Sequence, residues 1–593
     1  MNEIIFLTLK IVSLLFFLGY GFTAIFIPKK LRHDAFWLTP WFGVIIVAVI
    51  GVILSLAGIP VVQAKYIILS LAAAFFLWAV FNKKKLLFLS KETFLISLLT
   101  IICLLFNLYP LLARAGFPTT ISLGNLDPIS YVHNGDYLIK HTVWDIKYEQ
   151  YKPYSSATFD WLNGGRRATP IVISFIASVF NIKSYKIFSI LITIFFSLSF
   201  SIIYILAKQL IKQKKSYLLL FLIFITYAFN STILYMLYNV FFAQFAFLGV
   251  FIVILILLNS YISEKNRLIN FNNYDLLIAL SLSSLTVLYL EGLFFIIIPL
   301  VIFMFICLFK KKYLFIIYLA KIILLTFIIN PVFFGNALRM NYKMFIDTTK
   351  ITTIGWEKLR YAKPLEMIGF YNLYYSRKIP YLIEIISSLI ITGVIIIGFL
   401  RSKQKLFIGS FMVFFVFLYL VFALYFKNFF TYHRAVTYTL FLTSILFSCG
   451  IYYILSLFRN KIVKIIIILV LSLVTVRSSY RTIYQLYWHP RIVDKSLVSL
   501  TTLNKNTSIS QPFFTSDVFL GEYDLWKRLW QEYFLTDKLI VTRQNYPTEI
   551  NNLEGITLVL SEKNYLEREG KKIVYKNIVW QNQNYILGEI EPF

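Results

Sequence analysis

The sequence predicts a polytopic α-helical membrane protein of about 14 transmembrane helices, followed by a C-terminal extracytoplasmic α/β domain. Three observations predict it. Of 593 residues, 59% are hydrophobic and only 14% charged, where a soluble domain carries roughly 25%. Apolar runs of the roughly 20 residues that a spanning helix needs recur from the N-terminus to about residue 477. Lys and Arg collect in alternate connections between those runs. This composition excludes a string of water-soluble globular units. The formal charge is +29, yet the basic residues lie between apolar segments and not on one soluble face, so no nucleic acid is expected as partner. Cys103, Cys307 and Cys449 sit far apart in apolar runs, which leaves no disulfide framework or thiolate metal site. The abundance of Ile, Phe, Tyr, Lys and Asn points to a prokaryotic source with an AT-rich genome.

The expected spans are 4–27, 39–60, 65–81, 94–113, 184–207, 216–231, 240–261, 274–290, 292–309, 313–333, 380–400, 406–426, 437–457 and 461–477. The joint at 290–292 is tight enough for a hairpin. Twenty-two Lys and Arg residues lie in one set of short connections, and only Lys65, Lys427 and Arg434 in the alternate set. Cytoplasmic loops are the basic ones, so the first set is placed inside. Positive charge follows the first apolar segment, which reads as a retained anchor with an extracytoplasmic N-terminus. Three polar pieces then fall outside, at 114–183, 334–379 and 478–593, and hold 21 of the 28 acidic residues. Non-membrane mass outside the cell suits the assembly of envelope material.

The first outer loop contains Gly124, Asp127, Pro128, Tyr131, His133, Asp136 and Tyr137, then Trp144, Asp145, Glu149, Asp160, Arg166, Arg167 and Pro170. Asp127 before Pro128 reads as a carboxylate N-cap with Pro at the first helical position. Ile129, Val132 and Tyr137 give that helix one apolar side, as in a helix lying along a membrane surface. A second apolar segment, 170–181, is too short to span.

A loop that opens Asp127-x-x-x-Tyr131 after a transmembrane helix and continues as a juxtamembrane helix resembles the GT-C superfamily of glycosyltransferases. The Pro-led segment 170–181 and Tyr185-x-x-Phe188, entering a long helix that ends Lys208-x-x-x-Lys212, fit the same pattern. The likeness covers roughly 94–477, with the transmembrane helices of 1–93 as an addition. The resemblance implies a sugar donor carried on a polyprenyl phosphate or pyrophosphate. It also implies an Asp acting as base or charge organiser at the acceptor, which is Asp127 here, with Tyr131 beside it. Two departures matter. Pro128 stands where many members have a second acidic residue, and the Trp-Trp-Asp-type motif of oligosaccharyltransferases is missing, so whole-glycan transfer to Asn is not expected. The connection between spans six and seven offers Asn230, Tyr238, Asn239 and Gln244 but no carboxylate. Such a set suits hard cations badly. No cofactor is expected, and a divalent metal finds no support in these residues.

The chemistry stands apart from the resemblance. Moving a glycosyl group needs a base at the acceptor hydroxyl and stabilisation of a phosphate leaving group. Asp127 serves as the first acidic candidate and Asp136 as the second; their alternatives are a helix cap and a solvated carboxylate. Asp145, Glu149 and Asp160 read as solvated. Glu291 stands alone between apolar stretches, where an ionisable residue is costly without a partner; the alternative is a loop-tip carboxylate. Arg434 runs against the charge pattern, and Arg166 and Arg167 follow two glycines. Arg grips phosphate through two parallel hydrogen bonds, although Arg434 could instead snorkel from a helix end. The cations and aromatics of 334–379 suit a flap over a lipid headgroup or interfacial anchoring. His133, His141 and His433 are too scattered for a zinc site.

In 478–593, Phe513–Leu520, Leu539–Val541, Ile556–Leu560, Ile573–Tyr575 and Tyr585–Ile590 read as strands, and 522–534 as a helix whose aromatic face packs a core. The functional expectation is transfer of a sugar from a lipid-linked donor to a glycan, lipid or protein acceptor at the plasma membrane, by direct displacement with inversion. The alternatives are a transporter or flippase of lipid-linked glycans, a surface-polysaccharide polymerase or ligase, and an envelope scaffold. Against transport stands the lack of an internal repeat or of Gly/Pro-broken helices in matched positions.

Overall fold

The computed structural model describes residues 2–83, 90–145, 167–211, 217–262, 271–332, 381–424, 429–515, 525–541, 558–563 and 573–590, and, within 333–380, residues 334–336, 338–339 and 365. The chain is a multi-pass helical protein. Nine described helices are long and apolar enough to cross a membrane. They are α1 (Asn2–Phe26), α2 (Ala35–Leu56), α3 (Val61–Phe81), α4 (Lys91–Pro110, prolonged by a π turn to Ala115), α7 (Ser184–Leu210), α10 (Phe242–Ile262), α14 (Tyr381–Arg401), α16 (Phe429–Leu457) and α17 (Lys461–Trp488). The remaining expected spans are helical but shorter or bent. Among them α8 (Tyr217–Ala228) and α9 (Ser231–Tyr238) meet at a 53° break, where Asn230 caps α9 by accepting from Thr232 and Ile233 N–H. The others are α11 (Asn273–Leu288), α12 (Phe294–Phe309), α13 (Tyr313–Ile329) and α15 (Lys405–Leu424). A 3-10 turn, Leu290–Leu293, joins α11 to α12.

Helix packing rests on small residues, as it must where lipid is as apolar as the side chains. A Cβ on Gly19 of α1 would stand 1.8 Å from the Thr39 carbonyl oxygen of α2. A Cβ on Gly450 of α16 would stand 2.0 Å from the Val394 carbonyl oxygen of α14. The helix α7 is buried along its whole length, and α2 is drawn into the same core, its Trp41 lying against Gly249 of α10.

The ends of the helices sort into two faces. At one, Lys208 Nζ reaches Asp34 at 2.7 Å and Glu92 at 3.2 Å, and Tyr204 Oη donates to Glu92 at 2.7 Å. This is the face of the basic short connections. At the other lie α5 (Asp127–Lys140), α6 (Ala168–Phe180) and the C-terminal part. There, β1 (Ile121–Ser122) pairs antiparallel with β2 (Arg491–Ile492), Ile121 opposite Ile492.

The C-terminal part has α18 (Lys495–Asn504), α19 (Leu525–Phe534) and a five-stranded sheet. Its order is β4 (Ile540–Val541), β3 (Phe513–Thr515), β5 (Leu558–Glu562), β7 (Tyr585–Glu589), β6 (Asn577–Gln581). β3 pairs parallel with both neighbours, and β7 antiparallel with both of its own. Two expectations shift. The last span continues as helix to Trp488, since no breaker comes before Pro490. The strand expected at Ile573–Tyr575 lies instead at Asn577–Gln581, an exposed edge with little apolar alternation. Tyr575 has another use, its ring covering Gly588 so closely that a Cβ there would stand 2.4 Å away.

Candidate functional site

The helix α5 runs along the sheet-bearing face and starts at Asp127, one residue before the position a cap reading gives it. Leu126 flanks the helix, and the Asp127 N–H donates to Asn125 Oδ1 at 3.3 Å. The start of α5 is held from two sides. On one, Leu123 N–H donates to the Tyr238 carbonyl at 3.0 Å, and Asn125 Nδ2 to the Asn239 carbonyl at 2.7 Å. The half-buried Asp127 is therefore seated on the end of the broken α8–α9 pair. On the other side is the β1–β2 ribbon, locked where Val493 N–H donates to the Thr120 carbonyl at 3.0 Å and Thr119 Oγ1 to the Val493 carbonyl at 2.6 Å. Gly124 makes the turn between ribbon and helix with φ +101°, a region that favours glycine. Arg491 packs over it, so that a Gly124 Cβ would lie 3.2 Å from Arg491 Cδ and Nε.

Arg491 is exposed, with its guanidinium 5.8 Å from the Trp526 ring. Arg114 is a second cation at this end; its Nε donates to the Tyr487 carbonyl at 2.5 Å, and its guanidinium stands 4.7 Å over Trp488. Neither Arg was singled out from the sequence. Arg491 follows Pro490 in a stretch without local motif, and its place beside Gly124 comes from strand pairing across the whole membrane core.

Tyr131 is buried, its ring centroid 5.9 Å from both Phe188 and Phe242. It anchors α5 on α7 and on the first turn of α10. Five residues along α10, Phe247 packs on Tyr289 and Tyr438 at 6.0 and 4.9 Å. Glu291 lies in the turn just after Tyr289, and Arg434 one helical turn before Tyr438, which also packs on Phe295 at 4.7 Å. The segments bearing Glu291 and Arg434 thus come together beside α10. Thr169 Oγ1 donates to the Leu288 carbonyl at 3.1 Å, which brings the start of α6, and the half-buried Arg167 before it, to the same turn. The side chains of Glu291 and Arg434 lie outside the described residues, as do Arg166, Glu149, Asp160 and most of 334–379.

Asp136 is placed differently. Nine residues after Asp127 on a helix of 3.6 residues per turn, it lies about 13 Å farther along the axis and about 180° around it. The two carboxylates therefore cannot share one reacting centre. Asp136 Oδ1 accepts from Ser184 N–H at 2.9 Å, and Oδ2 from Tyr533 Oη at 2.6 Å. Lys183 Nζ stands 3.5 Å away, on a side chain 70% exposed. Buried His133, one turn back, meets the Tyr533 ring edge to face at 5.7 Å, and burial pushes its imidazole down to about 4. Burial, reinforced by Asp136, raises the Tyr533 phenol well above its ordinary value and keeps it a proton donor in the bond. Beyond Asp136 the helix closes on Asp145, whose Oδ2 accepts from Thr142 N–H at 2.6 Å and Thr142 Oγ1 at 2.9 Å. No group of three or more His, Cys, Asp or Glu among the described residues could hold a metal ion.

No protein-family profile matches the sequence, and no curated protein matches it. Solved structures match in outline. ArnT from Cupriavidus metallidurans in the apo state aligns with TM-score 0.47 and 9% identity, covering 84% of this chain and 98% of that one. The same protein bound to undecaprenyl phosphate gives 0.46 and 9% over the same shares. The archaeal oligosaccharyltransferase AglB from Archaeoglobus fulgidus, in complex with an inhibitory peptide and a dolichol-phosphate, gives 0.47 and 12%, covering 80% of this chain and 70% of that one. These solved structures match the chain in outline only, at identities of 9 to 12%.

Proposed function

We propose that the protein is a membrane glycosyltransferase. It moves a sugar from a polyprenyl-phosphate donor to an envelope acceptor at the face bearing α5 and the sheet. The distribution of Lys and Arg in the short connections supports an extracytoplasmic position for that face. The observation that carries the reading is the seating of Asp127, held at the start of a surface helix between the broken α8–α9 pair and the β1–β2 ribbon.

Asp127 takes the proton of the acceptor hydroxyl as that oxygen attacks the anomeric carbon. The bond from anomeric carbon to phosphate oxygen breaks, the electron pair leaves with the phosphate, and the configuration inverts. A double-displacement route needs a second carboxylate within about 5.5 Å, and Asp136 is far outside that reach. Charge on the departing phosphate falls to Arg side chains, with Arg114, Arg167, Arg434 and Arg491 as the candidates. The reading includes no resident metal.

The test is sugar transfer in proteoliposomes with a panel of polyprenyl-phosphate sugars and envelope acceptors. Wild type is expected to transfer in the presence of EDTA. Asp127→Asn is expected to lose on the order of 10²- to 10⁴-fold in kcat, the usual worth of a positioned base. Equal rates for the two proteins would overturn the role of Asp127. Movement of lipid-linked glycan across the bilayer without any transfer would replace the enzyme by a flippase.

A further inference from the structure

The geometry points to Asp136 and Tyr533 as a positioning pair, by which the C-terminal part holds the helix that carries Asp127. The inference rests on the proposed function only in naming Asp127 as the group positioned.

Three pieces of chain, distant in sequence, close on one carboxylate. Asp136 belongs to α5. Ser184 N–H belongs to the first turn of α7, where the positive end of the helix dipole favours a carboxylate. Tyr533 belongs to α19, 397 residues away from Asp136. The Asp136 side chain is 12% exposed, so both bonds form largely out of water. Around them the rings interlock: Tyr533 meets His133 at 5.7 Å, Tyr185 at 6.1 Å and Trp530 at 5.4 Å, and Phe534 meets Tyr185 at 5.3 Å.

A helix 14 residues long, lying across the ends of its neighbours, has little hold of its own in water. The stitching to Tyr238 and Asn239 fixes its start, Tyr131 packs its middle on α7 and α10, and its far half is held by Ser174 Oγ donating to the Gly135 carbonyl and by Asp136. Release of the Asp136 pin loosens that far half and, through the helix, the setting of Asp127. An attack geometry lost by about 1 Å costs on the order of 100-fold when positioning dominates the rate. The C-terminal part then acts on the reaction without touching either substrate. Asp136 becomes a positioning residue and not a second acid or base.

The test compares full-length wild type, Asp136→Asn, Tyr533→Phe and the double variant in nanodiscs. Tyr533→Phe removes one oxygen and keeps the ring, so folding is retained; Asp136→Asn keeps an acceptor for Ser184 N–H. Hydrogen exchange of the 127–140 peptide is expected to rise at least tenfold in either single variant, with exchange across 242–262 unchanged. The double variant is expected to match the singles. In the transfer assay each variant is expected to drop kcat about tenfold with donor KM within twofold. Unchanged exchange in 127–140, or effects that multiply in the double variant, would overturn the pair. The exchange arm reads the pin even if no donor gives transfer, so failure of the enzyme reading and failure of the pin are distinguishable.

Discussion

The two ends of α5 carry one carboxylate each, and the fold treats them in opposite ways. At the start, Asp127 is half-buried in a loop whose backbone is tied down by Asn125, Tyr238 and Asn239. At the far end, Asp136 has its own side-chain oxygens engaged by Ser184 and Tyr533. A carboxylate with both oxygens engaged by donors ties its neighbours together. At Asp127 the neighbouring backbone is fixed by Asn125, Tyr238 and Asn239. The same residue type thus stands in two settings on one helix: at one end beside a tied-down backbone, at the other as the acceptor that joins three pieces of chain.

The largest effect should separate the ends directly. On the proposed reading, Asp127→Asn removes the base, whereas Asp136→Asn loosens a mount. The ratio of their kcat losses is expected to exceed tenfold, and comparable losses would merge the two roles. A second, smaller effect should come from Gly124, the hinge between ribbon and helix. Alanine there must adopt φ +101° and put its Cβ 3.2 Å from Arg491. A strained backbone of this kind costs roughly 1–3 kcal/mol, and about 1.4 kcal/mol of lost positioning is tenfold in rate. Gly124→Ala is expected to lower kcat/KM about tenfold in proteoliposomes while the rest of the protein stays folded by circular dichroism. Full activity would show that the start of α5 tolerates displacement.

Much of the fold was legible because hydropathy reports the membrane directly. Each stretch expected to span carries a helix among the described residues, and α5 starts within one residue of where Asp127-Pro128 puts it. Hydropathy does not report what a helix faces. Ser184–Leu210 and Lys461–Trp488 are both strongly apolar, yet the first is enclosed by protein and the first half of the second is largely exposed. The candidate site was legible only where it is local. Asp127 was singled out by its motif, and Asp136 with a solvated carboxylate as its alternative, whereas Ser184 and Tyr533 engage it. Its partner Tyr533 lies on a helix whose aromatic spacing reads as plain core. Arg491 carries no local signal, since antiparallel pairing of Ser122 with Arg491 joins segments separated by the entire membrane core. Such pairs become visible only when the chain is folded.

The far end of α5 should also respond to pH. His133 is held neutral by burial, from an ordinary 6.5 down to about 4, with Asp136, Lys183 and Tyr533 as its charged and titratable neighbours. Between those values the unfolded chain binds a proton that the folded chain refuses, so stability from this site is complete above pH 6.5 and falls as pH drops toward 4. By pH 5 the loss amounts to about 2 kcal/mol. Exchange in 127–140 is expected to rise between pH 7.5 and 5 after correction for the intrinsic rate, and His133→Phe is expected to flatten that rise. An equal rise in His133→Phe would assign the response to another group.

The smallest effect should come from Lys183. It is the one formal counter-charge beside Asp136 among the described residues, and intuition would give it the main part in holding the carboxylate. Its Nζ is 3.5 Å away and its side chain 70% exposed, so water screens the pair and side-chain entropy opposes it; exposed pairs contribute about 0–1 kcal/mol. The Tyr533 phenol, by contrast, donates at 2.6 Å from a buried ring. Lys183→Ala is accordingly expected to change kcat less than twofold and to leave exchange in 127–140 near wild type. A loss greater than fivefold would move the hold on Asp136 from the C-terminal part to the α7 entrance. The pin would then be internal to the membrane core, and Tyr533→Phe would have to be nearly silent.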